Sequence, residues 1–366
     1  MLNLNKVAIL GAGLMGRVLA LTLLKDNPHL SIDLYDKDTI DGKKSCGYQA
    51  AGMLAPMAEL MTCHGQIYAY GKDAQSLWNK LLDATMAQYK DKVLQTKGTV
   101  IIAAKQDHTE LDHIKELISF RIDQFDGDHF DISKCYLSDK ALKAIMPSLD
   151  TTNLYKHSLY FKDEAVIDVP LFYRYSHEVL TRYQKVQWFE QIEININDFN
   201  CSNEIDHDYI FDCRGLGAKN DLNQLFAVRG EAIVIYQPQI EIDHVIRLLH
   251  PRHSLYLIPR GNGIFYVGAT SINADDLSNI SVESLMELLS MLYVIDVRFS
   301  EARVLKTISH LRPTSENDLP IIEHKNNMIR LNGLSRHGYL FAPKVALEVL
   351  NLVKTKEVCD VYTDSI

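Results

Sequence analysis

The chain has no long basic run, no apolar stretch of membrane length and no paired-cysteine motif. Each absence excludes something. The net charge of −9 is spread along the sequence, so neither nucleic acid nor an anionic membrane surface is an expected partner. No apolar segment reaches the ~18 residues of a membrane span, so no integral membrane segment is expected. The apolar start, VAILGAGLMG, reads as a strand and a turn and not as a signal peptide. Six cysteines, at positions 46, 63, 135, 201, 213 and 359, include no CxxC pair. They predict reduced thiols in a cytoplasmic protein, not a disulfide framework. None of the 14 histidines falls in a zinc-ligand spacing; Asp107, His108, Glu110 and His113 read as a solvated helix face, and no metal is expected. There is no evident catalytic dyad or triad, no internal repeat and no low-complexity linker. With 366 residues, 47% of them apolar, the chain still holds more than one domain's worth of core. Two domains without a linker must be interleaved.

What is present begins at residue 6. KVAILGAGLMGRVLALTLLKD reads as strand, glycine turn and helix, with G-x-G-x-x-G at Gly11, Gly13 and Gly16. Leu19, Leu23 and Leu24 share one face of that helix. A second strand, SIDLYD, ends at Asp36, twenty residues beyond Gly16. In this context the pattern is a dinucleotide fingerprint. The first glycine permits the turn, the second lets backbone approach a pyrophosphate at the helix N-terminus, and the third lets helix pack on strand. Leu14 and Met15 lie at that N-terminus, and Asp36 can accept hydrogen bonds from an adenosine ribose.

Two further stretches favour FAD over NAD. SCGYQAAGMLAPMAE, from Ser45 to Glu59, is a run of small residues with no strong helix or strand preference. There Ala50, Ala51, Gly52 and Met53 can let backbone pass close to a flat ring system. DYIFDCRGLGAK, from Asp208, is a buried strand running into a Gly-x-Gly turn at Gly215, a late element that flavoproteins of the glutathione-reductase type place near FAD. NGLSRHGYLFAP, Asn332 to Pro343, sets Arg336 between two glycines ahead of an amphipathic helix predicted to start near Pro343.

These stretches, with VRGEAIVIY, YLIPRGNGIFYVGAT and LRPTSENDLPII, occur in the order and spacing of a known family. Nearly the whole chain resembles the DAO-type FAD-dependent amino-acid oxidoreductases, most closely those of the glycine oxidase (ThiO) kind. Two departures sit beside the implied substrate pocket: TSENDLP follows Arg312-Pro313 where the family usually has GTxDGxP, and Ser335 stands where an aromatic commonly precedes the arginine. Both bear on the identity of the substrate more than on amine oxidation.

The resemblance implies oxidative deamination of glycine or another small amino acid. Hydride leaves Cα for flavin N5, and the imine hydrolyses to an oxoacid and ammonia. The electron acceptor is oxygen or another species, and a place in thiamine thiazole biosynthesis is implied with it. A dehydrogenase with a non-oxygen acceptor, or a flavoprotein acting on a protein or tRNA side chain, are the alternatives. Arg312 aligns with the family's carboxylate-binding arginine, Tyr256 with a tyrosine donating to that carboxylate, and Arg336 with an arginine on the substrate side of the flavin. Gly338, Tyr339 and Leu340 fall where backbone meets the flavin. Cys46 does not match the family's covalent attachment sites, and His337 reads as a packed loop histidine. The fold implied is α/β, a glutathione-reductase-type Rossmann FAD domain (1–85, 150–222 and 302–366) interleaved with a smaller antiparallel-sheet substrate domain (86–149 and 223–301). Homo-oligomerisation is left open. Helices are predicted over 137–149, capped by Ser138, and 281–295, capped by Ser281.

Overall fold

The opening strand organises a parallel sheet. Lys6–Leu10 is apolar and buried beyond its first residue, as a strand covered on both faces must be. It pairs in parallel with Ser31–Tyr35 on one side and Tyr209–Asp212 on the other. Across the sheet the order is Ile321–Lys325, Met328–Asn332, Tyr209–Asp212, Lys6–Leu10, Ser31–Tyr35, Val186–Phe189; the first of these is an antiparallel edge. The computed structural model from which this is taken describes residues 4–125, 130–196, 206–250 and 255–355.

The helix after the first strand, Leu14–Asp26, is buried continuously from Leu14 to Leu24 and not only on one leucine face. Helices Gly338–Thr355, Ala74–Thr85 and Val169–Leu180 enclose it. Its one charged residue in that stretch, Arg17, is fully buried with no carboxylate partner among the described residues and satisfies its donors on carbonyls of Ala12 (2.8 Å), Tyr173 (2.9 Å) and Ile40 (2.6 Å) and on Ser176 Oγ (3.1 Å).

A second, eight-stranded sheet runs in the order Arg303–Thr314, Phe226–Tyr236, Ile264–Gly268, Leu255–Pro259, Val245–Leu249, Thr99–Ala103, His157–Phe161, Tyr136–Ser138. It is antiparallel except where Val245–Leu249 runs parallel to Thr99–Ala103. Those two strands come from stretches far apart in sequence, so no hairpin forces them antiparallel. Helices Asp139–Ile145 and Val282–Ile295 supply apolar residues to this second core. Both are capped by the expected serines, Ser138 accepting from Ala141 N and Ser281 from Ser284 N. The fold is thus mixed α/β. The division into cofactor and substrate units along the boundaries above is a proposal; His157–Phe161 and Arg303–Thr314, from stretches given to the cofactor unit, hydrogen-bond into the eight-stranded sheet.

The last helix starts at Gly338, not near Pro343, which lies inside it. Proline cannot donate to the carbonyl four residues back. That carbonyl belongs to Tyr339, and the buried Trp78 indole donates to it instead at 2.7 Å. The replacement donor lets the helix begin a turn and a half earlier than the proline suggests. Trp78→Phe is expected to leave Tyr339 O buried and unpaired, at a cost of about 1–3 kcal/mol beyond the lost packing. A lowered urea midpoint with unchanged urea dependence is the measurement; an unchanged midpoint would mean the carbonyl finds water.

Candidate active site

The C-terminal ends of Lys6–Leu10 and Tyr209–Asp212 and the N-termini of helices Leu14–Asp26 and Gly338–Thr355 open on one cavity of about 670 Å³. Helix N-termini carry free N–H groups and positive potential, so this end of the sheet is built for an anionic ligand.

The three fingerprint glycines do different work. Gly11 has φ +97°, and a Cβ there would lie 2.5 Å from Cys213 O, so the turn itself demands glycine. A Cβ on Gly16 would lie 1.9 Å from Gly11 O; Gly16 does not line the cavity, and its place is closure of strand on helix. Gly13 is unlike either. A Cβ there meets only Ser45 Cβ, at 3.8 Å, and otherwise the open cavity. Protein packing gives no reason for glycine at this position, whereas a pyrophosphate on the helix N-terminus does. The residues therefore fit a dinucleotide. Asp36 lines the same end; its carboxylate accepts from the N–H groups of Ala12 and of Asp38 (2.8 Å). Burial raises its pKa against those two bonds, and each oxygen keeps a lone pair for a hydroxyl donor.

Toward the middle, Cys46–Gln49 folds as a short helix capped by Ser45, and Met53–Leu54 as a two-residue strand. Ala50, Ala51, Gly52 and Met53 line the cavity, as do Leu14, Met15, Gly215, Gly338, Tyr339 and Leu340. Arg260 braces the loop from behind, donating to Ala51 O (2.6 Å) and Ile167 O (3.2 Å).

At the far end stand Arg312, Tyr256 and Arg336. Arg312 donates from Nη2 to Thr270 O at 3.0 Å and makes no other side-chain hydrogen bond among the described residues. Tyr256 lies on the strand Leu255–Pro259 and shares a face with Ile258; by the same alternation the sequence predicts Ser254 on that face, and Ser254 lies outside the described residues. Burial raises the Tyr256 hydroxyl pKa, which keeps it a neutral donor. Arg336 donates to Thr62 Oγ1 (2.9 Å) and Cys63 Sγ (2.6 Å) and lies 3.6 Å from Glu59 Oε2. The loop bearing it is tied down by Ser335 Oγ, which donates to Asp318 Oδ1 at 2.6 Å. The two departures from the family pattern thus meet in space.

Sequence reasoning did not single out Glu59 or Arg247. Arg247 Nη1 donates to Glu59 Oε1 at 2.8 Å, and Arg247 is 3% exposed. Burial alone would raise the Glu59 carboxyl, but the guanidinium groups of Arg247 and Arg336 hold it at about 2. The stability this contributes is present above the ordinary carboxylate range and is lost as pH falls toward 2. Burial pushes the adjacent His337 down to about 4, so it is neutral at pH 7 and packed against Phe341. The signal for Arg247 was legible: one arginine inside the apolar run VIRLL has no solvated face to occupy. His310, a third cavity residue not anticipated, is carried to about 9: burial opposes its charge, while Cys46 and the carbonyls of Lys44 and Leu311 favour it.

No helix among the described residues is long and apolar enough to cross a membrane. A family model described as FAD dependent oxidoreductase (DAO) matches residues 6–352. Over 352 residues the chain is 29% identical to a Rhizobium etli protein provisionally named as the thiamine biosynthesis oxidoreductase ThiO, covering 96% of this chain and 97% of that one. Among solved structures it is similar to glycine oxidase from Geobacillus kaustophilus (TM-score 0.74, 19% identity, 97% and 96% of the two chains). It is likewise similar to an iminodiacetate oxidase from Chelativorans sp. (TM-score 0.76, 19% identity, 98% and 97%).

Proposed function

The chain belongs to the DAO family of FAD-dependent oxidoreductases, and from that premise we propose that it oxidises the amine carbon of glycine or another small amino acid. FAD is its cofactor, and the enzyme belongs with the amino-acid oxidases. When bound, FAD supplies the acceptor for the two electrons and the hydrogen that leave Cα. The observation that carries the reading is that one cavity holds a glycine cradle at one end and an under-bonded guanidinium beside a tyrosine hydroxyl at the other.

The chain's own task is then placement. Arg312 would take the substrate carboxylate through the edge of its guanidinium that Thr270 leaves open, Nη2 paired with Nε or with Nη1, a fork that fixes orientation as well as affinity. Tyr256 would add its hydroxyl to the same group. Arg336, held by Glu59, Thr62 and Cys63, would bring positive charge to the substrate side of the cofactor, together with the N-terminus of the Gly338–Thr355 helix. No residue need act as a strong base, since the amine reacts in its neutral form. Product imine then hydrolyses to the oxoacid and ammonia. A place in thiamine biosynthesis, the process in the name of the Rhizobium etli relative, and a cytoplasmic setting complete the proposal.

Anaerobic mixing of the yellow protein with a panel of amino acids is the test. Bleaching of the flavin by glycine or a small homologue, with recovery in air, is the expected result. Bleaching without recovery would assign a non-oxygen acceptor, and no bleaching by any amino acid would overturn the substrate class.

A further inference from the structure

We infer that Gly230 is a positioning residue for the arginine clamp, present so that the Arg312 guanidinium can lie flat against the strand beside it. The inference rests on the reading of Arg312 as the carboxylate site.

In the antiparallel pair Phe226–Tyr236 with Arg303–Thr314, Val228 faces Arg312 and Gly230 faces His310. Side chains at 228, 230, 310 and 312 therefore share one face, and Gly230 is the diagonal neighbour of Arg312. A Cβ built on Gly230 would lie 2.2 Å from Arg312 Nη2, 2.3 Å from Cζ and 2.8 Å from Nε. All three nearest atoms belong to the guanidinium, and none is backbone or apolar core. Nor does the backbone require glycine here, because Gly230 is absent from the positive-φ positions. The space above its Cα is filled by one functional group, and that group occupies it edge to edge.

The next residue completes the seat. Glu231 N donates to Thr270 Oγ1 at 3.0 Å, and Glu231 O accepts from Thr270 N at 3.0 Å. Thr270 is thereby fixed at two points, and its carbonyl is the acceptor for Arg312 Nη2. Floor and edge both come from positions 230 and 231 and fix the guanidinium plane, leaving one edge, Nη2 with Nε or with Nη1, for a ligand. The same device recurs under the tyrosine. A Cβ on Gly268 would lie 2.8 Å from both the hydroxyl and Cε2 of Tyr256, its cross-strand neighbour.

A methyl at 230 meets only the far end of a flexible side chain, so the chain can fold by moving Arg312 off its seat. Gly230→Ala should then keep wild-type FAD content and melting temperature. It should lose at least roughly 30-fold in kcat/KM for the amino-acid substrate, most of it in KM. In an Arg312→Ala background the same change should cost less than about two-fold, because there is no guanidinium left to displace. Multiplicative losses in the double variant, or a Gly230→Ala enzyme within about three-fold of wild type, would overturn the assignment. Titration with acetate, an unreactive carboxylate, reads the clamp apart from turnover. Its Kd, followed by the flavin absorption change, should rise at least ~10-fold in Gly230→Ala. A wild type that binds acetate but oxidises no amino acid would sink the proposed reaction and leave this inference standing. A wild type that binds neither would remove both.

Discussion

Arg312→Ala is expected to lose about 3–5 kcal/mol of transition-state stabilisation, roughly two to three and a half orders of magnitude in kcat/KM, while retaining FAD. The magnitude follows from leaving a desolvated carboxylate without its partner in a cavity whose other nearby cations are already engaged. Arg247 is spent on Glu59, and Arg336 is shared among Glu59, Thr62 and Cys63. Neither can swing to replace Arg312 without abandoning a buried carboxylate. Arg312→Lys retains charge but not the fork, and an ammonium reaching from the same Cα cannot donate along two parallel directions. It should fall between wild type and alanine, with KM raised and flavin reduction slowed. The discriminating substrate is an amine that lacks the carboxylate. Its turnover, already poor, should barely differ between wild type and Arg312→Ala. Equal losses on amine and amino acid would show that Arg312 holds the fold or the cofactor, and the clamp would have to be abandoned.

Gly13→Val should abolish FAD retention, so that the protein purifies colourless where wild type is expected to carry about one FAD per chain. The reason differs from that for its two neighbours. Valine at Gly11 or Gly16 would meet backbone atoms and damage the turn whether or not a ligand is present. At Gly13 the polypeptide leaves room: the nearest atom to a Cβ placed there is Ser45 Cβ, at 3.8 Å, so the apoprotein should fold normally. The branched side chain would occupy the volume over the helix N-terminus where the pyrophosphate sits. Far-ultraviolet circular dichroism matching the wild-type apoprotein, together with loss of flavin absorbance, is the expected pair of results. A yellow Gly13→Val protein at full occupancy would contradict the fingerprint assignment, and a colourless but unfolded one would contradict the claim that this glycine serves the ligand alone.

How much of this was legible before the structure depends on the range of the interactions concerned. The sequence by itself determined the strand, glycine turn and helix at one end of the cavity. Strand, glycine turn, helix and the acid at Asp36 lie within the first 36 residues, and their geometry follows from local backbone rules. Caps at Ser138 and Ser281 were readable for the same reason. Pro343 misled because the donor that compensates for it, Trp78, lies 261 residues away from the carbonyl it satisfies. The leucine face of the Leu14–Asp26 helix understated its burial because periodicity cannot show that helices from three other stretches close around it. At the other end of the cavity the family resemblance named Arg312, Tyr256 and Arg336, but only tertiary structure decided what surrounds them. Glu59 is a strong anion only because strand pairing delivers Arg247 from 188 residues further along and the last glycine loop delivers Arg336. Gly230 has meaning only beside Arg312, which antiparallel register sets diagonally across from it. Charge pairing and close approach act over a few ångströms in space, and nothing in linear spacing encodes which distant residues will share those few ångströms.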